Sequence, residues 1–220
     1  GRGVLMLTSL DDLEKNFHLQ KVHFAIQRIQ FALESYSNFN SLVRKELDYA
    51  VSKLEQNGNK INFDLSEDQL TLYLLSYVEN RYLGLEASHE KNQRGHCDIS
   101  ITLADYIWHG EAKKHSSYLY LFKGYAQLTE RYSTGTINSS SGGLIIYTKN
   151  ASCSDMMDSW KTFLSKNAPR IHACKSVNII DCPKNPLVFY SQHLHTVSKL
   201  DYQVVHYPVS LHHKPIDPDL

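Results

Sequence analysis

HCDISITLADYIWHGEAKKH, residues 96–115, decides how this chain is read. Ile99, Ile101 and Leu103 alternate with smaller or polar residues, and Tyr106 to Ala112 reads as a second strand, so the stretch predicts a β-hairpin. Each strand carries an acid that a sheet does not ordinarily need, Asp98 near the start of one and Glu111 near the end of the other. Glu111 and Lys113 are two positions apart on a strand, so they share a face while Ala112 points to the opposite one. Asp98, on the neighbouring strand, can lie across from them. Two convergent carboxylates make a hard-oxygen pocket that suits Mg²⁺ or Mn²⁺, whereas zinc prefers histidine and cysteine. A lysine beside such a pocket can orient or deprotonate an attacking water and offset charge on a phosphate.

Helical periodicity surrounds the hairpin. Ser9 caps a helix that opens on Asp11 and Asp12, and Val22, Ile26, Ile29 and Leu33 recur on one face. After a break at SNFNS, 37–41, a second helix carries Val43, Leu47, Val51 and Leu54 and ends at QNGNK, 56–60. Residues 1–60 thus read as a helical hairpin, set apart from a domain over 61–220. SEDQ at 66–69 is a capping box for a third helix running to about Tyr82. A fourth helix, 116–133, places Leu121, Tyr125, Leu128 and Tyr132 on one face and Lys123, Gln127 and Arg131 on another. TGTINSSSGG is a loop, 143–149 a buried strand, 154–167 a capped helix, and VNIID, LVFY and YQVVHY later strands. Strands alternating with helices indicate an α/β fold.

Asp98, twelve residues, then Glu111-Ala112-Lys113, with a helix before and a glutamine-bearing helix after, resembles the PD-(D/E)XK nuclease superfamily, also called restriction-endonuclease-like. The resemblance implies a helix, a three-stranded antiparallel meander, a crossover helix and a further parallel strand, hence a central mixed β-sheet flanked by helices. It implies that Asp98, Glu111 and Ala112 hold Mg²⁺ or Mn²⁺ and that Lys113 is the catalytic lysine. Glu79 stands where many members place an accessory acid. Gln127 resembles the glutamine of the QxxxY element in RecB-like branches, with Tyr132 one residue later than that pattern asks, and Cys97 stands in place of the usual proline. Lys123 and Arg131 would contact phosphates flanking the cut.

The resulting expectation is a metal-dependent DNA endonuclease of a prokaryotic restriction or antiphage system, the N-terminal hairpin serving docking or regulation. A balance of 23 basic and 23 acidic residues excludes coating of nucleic acid through a global field, so a helicase or ATPase partner, or a homodimer, would deliver the substrate. No membrane span or leader is read, and four scattered cysteines read as reduced thiols, so the protein is expected in the cytoplasm. Other readings stay open: a solvated Glu111–Lys113 pair on an edge strand, Asp98 capping a turn, a non-catalytic module of the same fold, an RNA-cleaving phosphodiesterase. His193 and His195 on one strand face raise a zinc site, although no carboxylate or cysteine stands at a convincing spacing.

Overall fold

The computed structural model describes residues 9–58, 61, 63–79, 84–92, 96–171 and 174–212. Helices start where serines stand ready to cap them. Ser9 accepts from the Asp12 N–H at the head of α1 (Leu10–Leu33), and Ser35 from the Asn38 N–H at the head of α2 (Tyr36–Gln56). The break between them is therefore at Ser35. SNFNS, expected to interrupt the chain, lies inside the first turns of α2. Ser66 and Gln69 bond reciprocally, the Gln69 N–H to Ser66 Oγ at 3.1 Å and the Ser66 N–H to Gln69 Oε1 at 3.0 Å, and fix the start of α3 (Glu67–Glu79). The expected end of that helix near Tyr82 lies outside the described residues.

Strands β1 (Glu86–Asn92), β2 (His96–Leu103) and β3 (Tyr106–Lys114) form an antiparallel meander. Helix α4 (Tyr118–Gln127), capped by Ser117, crosses over to β4 (Ser141–Thr148), which pairs in parallel with β3. Helix α5 (Cys153–Asn167) and strands β5 (Asn178–Asp181), β6 (Phe189–Leu194) and β7 (Asp201–Ser210) follow, and the seven-stranded mixed sheet runs β1-β2-β3-β4-β7-β6-β5. The architecture is α/β, with helices on both faces of the sheet.

Alternation along β4 sorts the two cores. Ile145 and Tyr147 face a cluster with Phe39, Leu47, Leu70, Ile99 and Trp108, while Leu144 and Ile146 face Leu121, Tyr125, Trp160 and Leu164. Every residue of β4 is buried, as a central strand with both faces covered must be. Residues of α2 share the first cluster with those of α3 and the sheet, so residues on both sides of position 60 pack together. Helix α1 behaves differently. It rests on α2 through buried Ala32, half-buried Ile29 and an Arg28–Glu46 ion pair at 3.1 Å, but Val22, Ile26 and Leu33 are 43–50% exposed. The repeat of apolar residues locates the helix, and yet only part of the stripe meets α2.

Candidate active site

Pairing between β2 and β3 runs from Leu103–Tyr106 up to Ile99–Gly110. At and beyond that pair, side chains of β2 bond backbone groups of both strands. Asp98 Oδ2 accepts the Ala112 N–H at 3.0 Å, and the Cys97 thiol donates to the carbonyls of Ile99 at 2.9 Å and Gly110 at 3.3 Å. Burial pushes that thiol up to about 12, so Cys97 is a neutral donor and not a nucleophile. Asp98 is tied to β3 by this bond and does not simply cap a turn after Arg94-Gly95-His96.

Glu111 and Lys113 project together toward α4, while Ala112 packs into the opposite core. Lys113 Nζ lies 2.6 Å from Glu111 Oε1 and 3.8 Å from Asp98 Oδ2. Only 2% of the Glu111 side chain is exposed, so this is no solvated pair on an edge strand. Gly124 of α4 makes the close approach possible: a Cβ there would meet Lys113 Cγ at 2.8 Å and Glu111 Cγ at 3.3 Å. Alanine favours a helix by about 1 kcal/mol over glycine, so Gly124→Ala is expected to leave the melting temperature near that of the parent while displacing Lys113 and lowering turnover. Thermal unfolding measured beside activity checks this, and unchanged turnover would contradict it.

A third carboxylate comes from a place the sequence did not suggest. Glu67, in the first turn of α3, accepts the Lys114 N–H at 2.7 Å on Oε2 and the Tyr120 hydroxyl at 2.6 Å on Oε1. Its charge acts on Asp98, Glu111 and Lys113 alike. Glu79 closes the same helix twelve residues on, roughly 18 Å along the axis. The fold thus holds Glu67 on the Lys114 N–H and the Tyr120 hydroxyl, where its charge reaches Asp98 and Glu111; the Glu79 side chain lies outside the described residues.

Burial dominates the electrostatics. It raises Glu111 to about 7, with the Asp98 charge adding to the rise and Lys113 opposing it. Asp98 is also raised, chiefly by burial, against the Ala112 N–H and Lys113. For Lys113 burial pulls downward, but Glu111, Asp98 and Glu67 together outweigh it and hold the ammonium above its usual range. Lys113 is therefore a fixed cation in this state and not a free base.

Gln127 lies three residues beyond Gly124 and joins Lys123, Ala126, Glu130 and Arg131 around a shallow groove. Here α4 passes into a π-helical turn, Leu128–Tyr132, closed by the Ser133 N–H on the Leu128 carbonyl at 3.1 Å. A π turn takes one residue more than an α turn. Position 132 consequently falls one turn after Gln127, where position 131 would fall in an uninterrupted α-helix.

The C-terminal histidines separate. His206 is fully buried, accepting from Trp160 Nε1 at 3.1 Å, 2.9 Å from Ser191 Oγ, and stacked on Phe189 at 4.3 Å, which makes it a core residue. His193 and His195 are buried as well, and His195 Nε2 lies 3.3 Å from the Ser133 carbonyl. Among the described residues no group of three or more His, Cys, Asp or Glu side chains is gathered as a metal cage.

Whether Mg²⁺ or Mn²⁺ suits Asp98 and Glu111 turns on which oxygens are already engaged. Glu111 gives Oε1 to Lys113, while Oε2 is buried with no hydrogen-bond partner. Asp98 commits Oδ2 to the Ala112 N–H. Each carboxylate so keeps one oxygen for a hard cation, and a buried oxygen without a partner is costly unless something pairs with it. Ala112, its side chain in the core and its N–H taken, has only its carbonyl to offer. The donor set fits such an ion.

Comparison with protein-family models, with curated proteins and with solved structures returned no match.

Proposed function

We propose that the chain is a metal-dependent nuclease hydrolysing phosphodiester bonds, with DNA the expected substrate and a restriction or antiphage role the expected setting. The observation that carries this reading is the convergence of Asp98, Glu111 and Lys113 where β2 and β3 part, with one buried oxygen of Glu111 left without a partner. The order of helix, antiparallel meander, crossover helix and parallel strand supports it, being the order that the PD-(D/E)XK resemblance implies.

Asp98 and Glu111, with the Ala112 carbonyl, would hold Mg²⁺ or Mn²⁺. The ion, when bound, would activate water and neutralise charge on the phosphate. Lys113 keeps its proton and stands beside Glu111, so it offsets charge on the scissile phosphate. Glu67 adds a third carboxylate, held by Tyr120 and the Lys114 N–H. Lys123 and Arg131, both exposed on the groove beside Gln127, would meet flanking phosphates, and partner delivery by a helicase, an ATPase or a second copy fits the zero net charge.

Incubation of labelled DNA and RNA with the protein in Mg²⁺ or Mn²⁺ is expected to yield cleavage products that excess EDTA abolishes. Nicking that persists in EDTA would sink the metal assignment, and products from RNA alone would move the substrate to RNA. One observation favours a second reading, a non-catalytic module of the same fold: Lys113 closes on Glu111 at 2.6 Å as a structural ion pair would. A protein that binds no divalent ion and cuts nothing would decide for it.

A further inference from the structure

The far side of α4 carries a second feature that the catalytic reading leaves unused. His115 follows Lys113 by two positions, about 7 Å along the strand direction, and its N–H still bonds the Tyr147 carbonyl of β4 at 2.8 Å. From there a row of rings leads outward. His115 and Tyr118 have centroids 5.1 Å apart, Tyr118 and Phe163 6.0 Å, and Phe163 and Phe122 6.0 Å. Tyr118 and Phe163, both half-buried, form part of an open hollow between the start of α4 and one face of α5. Ser159, Thr162 and Lys166 line the α5 wall at helical spacing, all exposed. Asp158 also lines it, with the Lys161 ammonium 3.9 Å from its carboxylate and 2.5 Å from that of Asp181, and Lys166 is the cation that lines this wall.

We propose that this hollow is a stacking subsite for an unpaired nucleobase, making single-stranded nucleic acid the preferred substrate of the Asp98–Glu111–Lys113 site. The substrate class rests on the nuclease reading above. A floor made of the Tyr118 and Phe163 rings, tilted 33° to each other, with a few hydroxyls and one cation at the rim offers a base a face to stack on and its phosphate a partner. Stacking needs the face of a base, and a duplex buries those faces between neighbouring pairs. The row begins at His115, two residues from Lys113 on the same end of β3, so a strand whose phosphate lies at the carboxylates would carry a neighbouring base toward the rings.

The test measures binding of one fluorescein-labelled DNA oligonucleotide, single-stranded or annealed to its complement, to the Glu111→Gln protein in Mg²⁺. The single strand is expected to bind on the order of tenfold tighter or more, and Tyr118→Ala to lose about that factor while Tyr118→Phe keeps it. Ser159→Glu changes an exposed residue, so its expected loss of single-strand affinity does not depend on packing around Tyr118. Equal affinity for the two forms, or parental affinity in both Tyr118→Ala and Ser159→Glu, overturns the subsite; metal-dependent cleavage of duplex by the unmutated protein would then still support the nuclease. Tyr118-dependent single-strand binding without cleavage upholds the subsite and removes the catalysis. Absence of binding to any nucleic acid overturns both.

Discussion

Glu111→Gln and Lys113→Ala are each expected to reduce the proposed phosphodiester cleavage by about a thousandfold or more, and to move stability in opposite directions. Removing a single group that stabilises developing charge commonly costs two to three orders of magnitude in turnover, and Glu111 is also expected to hold the ion. The stability signs follow from burial. Glu111 has a folded value near 7 against 4.5 for an ordinary glutamate, so its contribution is full below pH 4.5 and is lost as pH rises through 7. At pH 8, without metal, the ionised carboxylate opposes folding by on the order of 3 kcal/mol, and glutamine relieves this. A rise in melting temperature of roughly 5–10 °C is expected for Glu111→Gln at that pH. Lys113→Ala leaves Asp98 and Glu111 facing each other with no cation between them, so its melting temperature falls. Turnover and thermal unfolding at pH 8 in EDTA-treated protein measure both effects. Two variants that keep activity place the chemistry elsewhere.

Mild acid is expected to unfold the protein, with histidines as the cause. Burial pushes His109 and His193 down to about 4 and His206 to about 3. Each of these folded values lies below the ordinary 6.5, so the stability they contribute is present above pH 6.5 and is lost as pH falls toward 4. His206 cannot take a proton and still accept from Trp160, and His193 has both ring nitrogens buried without a partner. Glu111, Asp98 and Glu55 work the other way, since burial raises them and protonation favours the fold. Three depressed histidines outweigh these, and a loss of several kcal/mol between pH 6.5 and pH 4.5 is expected. Urea midpoints across that range check it. His206→Gln should destabilise the protein at pH 7.5 and flatten the slope in acid; a slope unchanged in that variant would remove His206 from the account.

The legible parts of the fold are the local ones. Ser66 and Gln69 announce a helix start because both partners of the capping box lie within four residues, and the hairpin announces itself by a period of two. Strand β1 was missed because EASHEKN carries almost no apolar alternation; it is a strand because β2 supplies its partners from Glu86–Thr102 to Asn92–His96. Among the candidate site residues, the convergence of Asp98, Glu111 and Lys113 is legible in the sequence, since strand alternation and one hairpin suffice to bring them together. Glu67 was not. As one of two acids in a helical first turn it looks like a charge placed against the helix dipole, and only the docking of α3 against β3 and Tyr120 shows where it points. The π turn was equally hidden, because the extra residue that shifts Tyr132 relative to Gln127 has no composition of its own. His206 reads like any other histidine in sequence, and its place between Trp160 and Ser191 depends on contacts 46 and 15 residues away.

Titration of Mn²⁺ into the metal-free protein, followed by electron paramagnetic resonance, reports directly on whether Asp98 and Glu111 share a cation. The unmutated chain is expected to remove Mn²⁺ from the free signal in a saturable way. Apparent affinity should rise with pH up to about 7 as Glu111 loses its proton, and Asp98→Asn or Glu111→Gln should abolish the binding. Mn²⁺ left entirely free at millimolar concentration, or bound equally by those two variants, would contradict the assignment of these carboxylates to a metal site.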